Sequence, residues 1–195
     1  MLKLSKLMLV GLAAATLLSL TVGTASARNL SLGEQPYRIG WRPISIFAAG
    51  AIRCNLTLDG SFHYRTIIKS AGALIGHVNR AILDTCTGGS ATVLTNALPW
   101  HIRYASFTGM LPNVTSVRFD VIGLSIEAIS GCLGRSTSEN PARLMFNVAG
   151  GFVTGLRVEE TARIPITGGG FCELIRQYSL EGTGPAPFRL RITLI

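Results

Sequence analysis

Histidines, carboxylates, cysteines and an excess of arginines are the side chains of this 195-residue chain whose types suit chemistry. His63, His77 and His101 offer imidazoles for metal ligation or for activating a Ser or Cys nucleophile. Alternating apolar and polar residues put His63 and His101 on polar strand faces, so the histidines are expected as solvent-facing strand residues. No Gly-x-Ser-x-Gly, Ser-x-x-Lys or His-Glu-x-x-His sequence occurs. No metal set and no cofactor is therefore expected.

A glycosidase needs two carboxyl groups about 5–9.5 Å apart across a cleft. Glu159 and Glu160 are neighbours and point to opposite faces of a strand. Asp59, Asp84, Asp120, Glu127 and Glu173 form such a pair only if the fold brings two of them together. The glycine runs Gly150-Gly151 and Gly168 to Gly170 lack the following helix and lysine that a phosphate cradle requires, and are expected as turns.

The arginines are the strongest binding feature. Arg53, Arg103, Arg118, Arg157, Arg189 and Arg191 all fall at polar-face positions of expected strands. On neighbouring strands they would form a basic stripe suited to carboxylate, phosphate or sulfate. Trp41, Trp100 and His101 would add sugar-stacking contacts beside it. Like charges directly opposite one another destabilise a sheet, so such a stripe would itself indicate a function.

The elements that must position these groups are strands. Ile52, Cys54, Leu56, Leu58, Phe62 and Tyr64 alternate with polar residues. Asp59-Gly60 resembles a hairpin turn, but a two-residue hairpin would place Leu56 beside His63 and send Phe62 to the other face. One long strand, bulged at Gly60, keeps the apolar groups together. Further strands are expected around Ile102/Tyr104, Leu144/Phe146/Val148, Phe152/Leu156/Val158, Ile164/Ile166, Tyr178/Leu180 and Phe188 to Leu194. Val117, Phe119 and Val121 share a face with Leu124, Ile126 and Ala128 only if one residue is skipped, which predicts a bulge near Ile122-Gly123. Leu74 to Leu83 reads as strand rather than helix because Gly72 and Gly76 disfavour the helix. Turns are expected at Leu98-Pro99, Pro112-Asn113 and Gly182 to Pro187 as well as at the glycine runs. The fold class is all-β: an antiparallel β-sandwich or closed β-barrel of about nine or ten strands.

Lys3 and Lys6, an uncharged apolar run from Leu7 to Val22, and Ala25-Ser26-Ala27 have the three parts of a secretory signal peptide. The run is shorter than the roughly 20 residues of a spanning helix, and no later segment is apolar enough to span. Residues 1–27 are expected to be cleaved after Ala27, leaving residues 28–195 as a single all-β domain that is secreted or held in the cell envelope. Cys54, Cys86, Cys132 and Cys172 all lie in that part, an even number that suits two disulfides. Three pairings are possible; Cys54–Cys86 with Cys132–Cys172 closes the shorter loops and is preferred. Of the chain's net charge of +8, the two leader lysines carry two, leaving an excess of six. Asn29, Asn55 and Asn113 begin Asn-x-Ser/Thr sequons.

Gly60-Ser-Phe-His-Tyr-Arg-Thr-Ile67, Leu98-Pro-Trp-His-Ile-Arg-Tyr104 with Ser106-Phe-Thr-Gly-Met-Leu-Pro112, and Cys132-Leu-Gly-Arg-Ser-Thr137 with Asn140-Pro-Ala142 resemble uncharacterised exported proteins of actinobacteria. That resemblance implies a bacterial exported origin and brings no activity, because the group has none assigned.

The expected function is a non-enzymatic binding or structural module whose partner is an anionic cell-wall polymer or acidic glycan, with nucleic acid not expected. The alternatives are a secreted hydrolase of wall or extracellular polysaccharide and an eight-stranded outer-membrane barrel. The leader yields the first prediction. Amino-terminal sequencing of the exported protein reads from Arg28; an exported form that retains Met1 to Ala27 refutes the cleavage.

Overall fold

The computed structural model describes residues 29–194 except 111–112, 160–162 and 186–189. Fifteen strand segments are present among them: β1 (Asn29–Leu32), β2 (Pro36–Phe47), β3 (Ala51–Phe62), β4 (Thr66–Ile68), β5 (Leu74–Thr87), β6 (Thr92–Val93), β7 (Trp100–Thr108), β8 (Ser116–Ile122), β9 (Ser125–Ile129), β10 (Cys132–Arg135), β11 (Ala142–Ala149), β12 (Phe152–Val158), β13 (Arg163–Thr167), β14 (Gln177–Pro185) and β15 (Ile192–Leu194). One short helix, α1 (Phe171–Ile175), lies between β13 and β14.

Eight of these strands close into an antiparallel barrel. The order is β2-β3-β5-β7-β8-β11-β12-β14, and β14 pairs back onto β2. The choice between sandwich and barrel thus resolves to a barrel. The excess over nine or ten strands comes from seven segments of two to five residues outside it. β1, β4 and β15 form a small sheet. β13 pairs with the first half of β14, and β10, β9 and β6 extend from it as a flap.

Each barrel strand sends alternate side chains inward, and an eight-stranded barrel is just wide enough for side chains to fill. Tyr37, Phe62, Phe119 and Phe146 pack in tilted and, for the last pair, edge-on contacts through the interior, with centroids 5.3, 5.7 and 5.2 Å apart along the series. The void left among them is about 10 Å³, at the lower limit for one water. Trp41 and Trp100 are fully buried. The outward positions carry Arg38, Asp59, His77, Arg103, Asp120 and Arg143. A membrane barrel requires an apolar outer band, whereas charged residues hold these outward positions, which counts against the outer-membrane alternative.

β3 is the single long strand expected, and its register with β5 shifts between Asp59 and Gly60. Tyr64, expected on the buried face, is 74% exposed because the strand ends at Phe62. Leu74 to Leu83 lies within β5 and is strand. Near Ile122-Gly123 the parity does change, but not through a bulge. The chain bends at Gly123, leaves the barrel, and continues as β9 in the flap, with Ser136 Oγ accepting the Leu124 N–H at 3.0 Å. Phe152 is exposed rather than buried, because β12 carries an extra residue between Val153 and Gly155 where it pairs with β11.

Gly150 and Gly151 join β11 to β12 with φ of 58° and 79°, the left-handed pair that a two-residue hairpin turn needs. Gly168 to Gly170 is a turn, but α1 follows it, contrary to the expectation that no helix would. Asn113 donates its N–H to the Met110 carbonyl in a turn; Pro112 lies outside the described residues. Gly182 to Pro185, expected as a turn, is strand and closes the barrel by pairing with Val158 to Gly155. A Cβ on Gly182 would stand 3.1 Å from Trp41 Cδ1, and one on Gly184 would overlap the Gly40 carbonyl oxygen. Glycine serves close approach here, not reversal. Ala186, Pro187, Phe188 and Arg189 lie outside the described residues.

Two disulfides join Cys54 to Cys86 and Cys132 to Cys172, the preferred pairing. The first ties β3 to β5, and the second ties the flap to α1. No helix among the described residues is long and apolar enough to cross a membrane.

Two stability predictions follow from the seam and the first disulfide. Gly184→Ala costs about 2–3 kcal/mol, because the obstructing atom is main chain and cannot rotate away; equilibrium urea unfolding measures it. Replacing Cys54 and Cys86 by Ser, 32 residues apart, costs about 3–4 kcal/mol in loop closure. A change below about 1 kcal/mol in either variant contradicts its assignment.

Candidate functional site: the outer wall of the barrel

With the lumen filled, polar chemistry lies on the outer wall, where cross-strand register decides what meets. Asp59 on β3 is flanked by Arg38 on β2 and Arg80 on β5. Arg38 donates from Nε to Asp59 Oδ1 at 2.6 Å and from Nη2 to Oδ2 at 2.9 Å, a bidentate pair. Arg80 Nη1 stands 4.0 Å from Oδ2. The Arg38 guanidinium holds the Asp59 carboxyl below its ordinary value of 3.8, working against partial burial. Both arginine side chains remain more than 60% exposed, so one edge of each guanidinium is open to solvent.

A second row crosses β7, β8 and β11. Asp120 lies opposite Arg103 on one side and Arg143 on the other. Arg143 Nε donates to Asp120 Oδ1 at 3.0 Å and its Nη1 reaches Glu159 Oε2 at 3.7 Å. Arg118 Nε lies 2.6 Å from Glu159 Oε1, an ion pair whose angle is too poor for a hydrogen bond.

The six expected arginines are therefore only partly assembled. Arg118 and Arg157 sit on either side of Met145 and share a shallow groove of about 420 Å³ with Glu159, Glu181 and Thr183. Arg103 lies one strand away, opposite Asp120. Arg53 is on β3, with two strands between it and β8 on one side and two between it and β12 on the other. Arg191 lies outside the barrel with its guanidinium 4.8 Å over the Phe152 ring. Arg189 lies outside the described residues. Acids interleave with the arginines, which relieves the repulsion a bare stripe would carry. Trp41 and Trp100 are buried, so neither can stack on a sugar at this wall, contrary to expectation.

The acids considered for glycoside hydrolysis are dispersed. Asp59 and Asp120 are held by arginines, Asp84 accepts from Thr85, Glu127 accepts the Gly131 N–H at 2.7 Å, and Glu173 is on α1. Glu160 lies outside the described residues.

His77 and His101 are strand residues as expected, while His63 lies just after β3. The three come together: His63 Nε2 lies 3.1 Å from His77 Nδ1, and His77 is directly opposite His101 in the β5–β7 pair. The sequence signal existed in part, since alternation placed His63 and His101 on polar faces, but their meeting depends on the register of β3, β5 and β7.

No protein-family model, curated protein or solved structure matches the chain. The function is therefore argued from the wall itself.

Asp59 gives a signed pH prediction. Its carboxyl titrates lower in the folded than in the unfolded state, so the stability it contributes is complete above 3.8 and is lost as pH falls through the lower folded value. Acid unfolding of Asp59→Asn is expected to show a shallower loss of stability below that pH than the parent. Parallel curves would remove Asp59 from the acid response.

Proposed function

We propose that the exported chain is a non-enzymatic binding module of the cell envelope or extracellular space, and that it engages an anionic polymer through arginines on the outer barrel wall. The observation that carries this reading is the row Arg38–Asp59–Arg80. One carboxylate holds the Arg38 guanidinium in a bidentate pair and stands 4.0 Å from that of Arg80, while leaving their outer edges open. A pre-ordered guanidinium loses less side-chain entropy when a carboxylate, phosphate or sulfate docks on it. The excess of positive charge steers such a polymer to the surface. A lumen filled by side chains leaves the outer surface to do the binding. The hydrolase alternative draws no comparable support, because Asp59 and Asp120 already serve as arginine partners.

The leader and the two disulfides support export. So does the resemblance to exported actinobacterial proteins.

Retention of the purified protein on cell-wall and acidic-glycan fractions, with a neutral glucan as control, tests the reading. Retention falls steadily with added salt, and joint reversal of Arg80→Glu and Arg157→Glu weakens it by at least about tenfold, since a charge-assisted contact contributes ~1.5–3 kcal/mol. Retention equal on the neutral control, or indifferent to salt and to both reversals, would sink it.

A further inference from the structure

We propose that His63 and His77, joined by His101 from the next strand, form a surface site for an imidazole-preferring divalent transition ion, with copper(II) bound most tightly. The geometry starts from the 3.1 Å between His63 Nε2 and His77 Nδ1. Metal–nitrogen bonds of about 2.0–2.1 Å span nitrogens about 2.8–3.4 Å apart, the lower figure for right-angle and the upper for tetrahedral coordination. The observed separation falls inside that range; because the ion sits off the line on which the shared proton lies, both rings turn to aim their lone pairs at it.

The second nitrogen of His77 also has a partner. Nε2 lies 3.5 Å from Ser61 Oγ. With its proton directed there, the ring presents the Nδ1 lone pair toward His63, as a ligating imidazole does when its other nitrogen is occupied. The backbone beneath both rings is pinned. Gln35 Nε2 donates to the His63 carbonyl at 2.9 Å, and Tyr37 Oη donates to the His77 carbonyl at 3.1 Å. His63 N–H donates to the Ile75 carbonyl at 2.8 Å. A Cβ on Gly60 would overlap both the Tyr37 hydroxyl and the His77 carbonyl oxygen, so glycine is what admits that bond.

His101 supplies the third imidazole. Directly opposed residues of an antiparallel pair have Cβ atoms about 4.5–5.5 Å apart on one face, and His77 and His101 are so opposed. Among the described residues no group of three or more His, Cys, Asp or Glu is placed to hold a metal ion, so His101 completes the site only by moving. The ion therefore seats first on His63 Nε2 and His77 Nδ1, and the exposed His101 ring rotates in to replace a water. Imidazole donors with open positions suit copper(II) above nickel(II) and zinc(II). This site is separate from the arginine row, so either assignment can fail alone.

Titration of the purified, disulfide-bonded protein with copper(II), read by calorimetry and electron paramagnetic resonance, tests it. One ion binds per chain, with couplings to two or three nitrogens. His63→Ala and His77→Ala each weaken binding tenfold or more, His101→Ala weakens it two- to tenfold, and Ser61→Ala weakens it several-fold. Far-ultraviolet circular dichroism checks each variant; His63→Gln and His77→Gln replace any alanine variant that loses its sheet signal and give the same loss of affinity. Parent-like copper affinity in folded variants at both positions 63 and 77 overturns the site, as does parent binding no tighter than that of the triple-histidine variant. Unchanged affinity in His101→Ala removes the third ligand from it.

Discussion

Closing eight strands around an interior only wide enough for their own side chains ties every face of this protein to one register. Because side chains alternate, each inward residue fixes its neighbours outward. The series from Tyr37 through Phe62 and Phe119 to Phe146 fills the lumen to the size of one water or less. A strand that slipped by one residue would drive charge into that space and aromatic rings into solvent. The rows of the outer wall are thus a consequence of packing, not a separate feature laid upon it.

Bulges reconcile this parity with the curvature of a closed sheet. β5 absorbs three of the six in the barrel, with one each in β2, β7 and β12. It carries extra residues at Ile75 against β7, at Asn79 against β3, and beside Cys86 where the disulfide joins β3. Each insertion lengthens the interval between inward residues, so Ile75, Val78 and Ala81 are buried at a spacing of three. A helix also shows that spacing, which is why this segment reads ambiguously in sequence while β3 reads plainly. The glycines of β14 mislead in the same physical way. Composition marks Gly182 to Pro187 as a turn, whereas Gly182 and Gly184 are small because Trp41 and the Gly40 carbonyl lie against them across the closing seam.

The all-β class, the long β3 strand through Gly60, the strand nature of Leu74 to Leu83 and both disulfides were legible in the sequence. They rest on local alternation, on glycines that disfavour a helix, and on an even cysteine count with the shorter loops preferred. The outer wall was less so. Polar-face positions could be assigned strand by strand, but which of them share a row requires the register between strands. Arg103 and Arg118 meet acids, Arg53 stands apart from them, and the buried Trp41 and Trp100 could be distinguished from surface aromatics only once the interior was known.

The wall and the core meet at Tyr37. Its ring stands 5.3 Å from Phe62 in the lumen series, opposite Gly60, while its hydroxyl donates to the His77 carbonyl. Burial, with the charge of Asp59 adding to it, pushes the phenol far above its ordinary range, so the hydroxyl stays a donor at any pH the fold tolerates. Asp59 in turn holds Arg38 from the adjoining register position. One aromatic side chain and the glycine facing it therefore connect the packed lumen, the arginine row and the histidine cluster. The carbonyls of both histidines are tied by Gln35 and Tyr37, and so one imidazole from β5 and one from the bend just after β3 meet 3.1 Å apart at the surface.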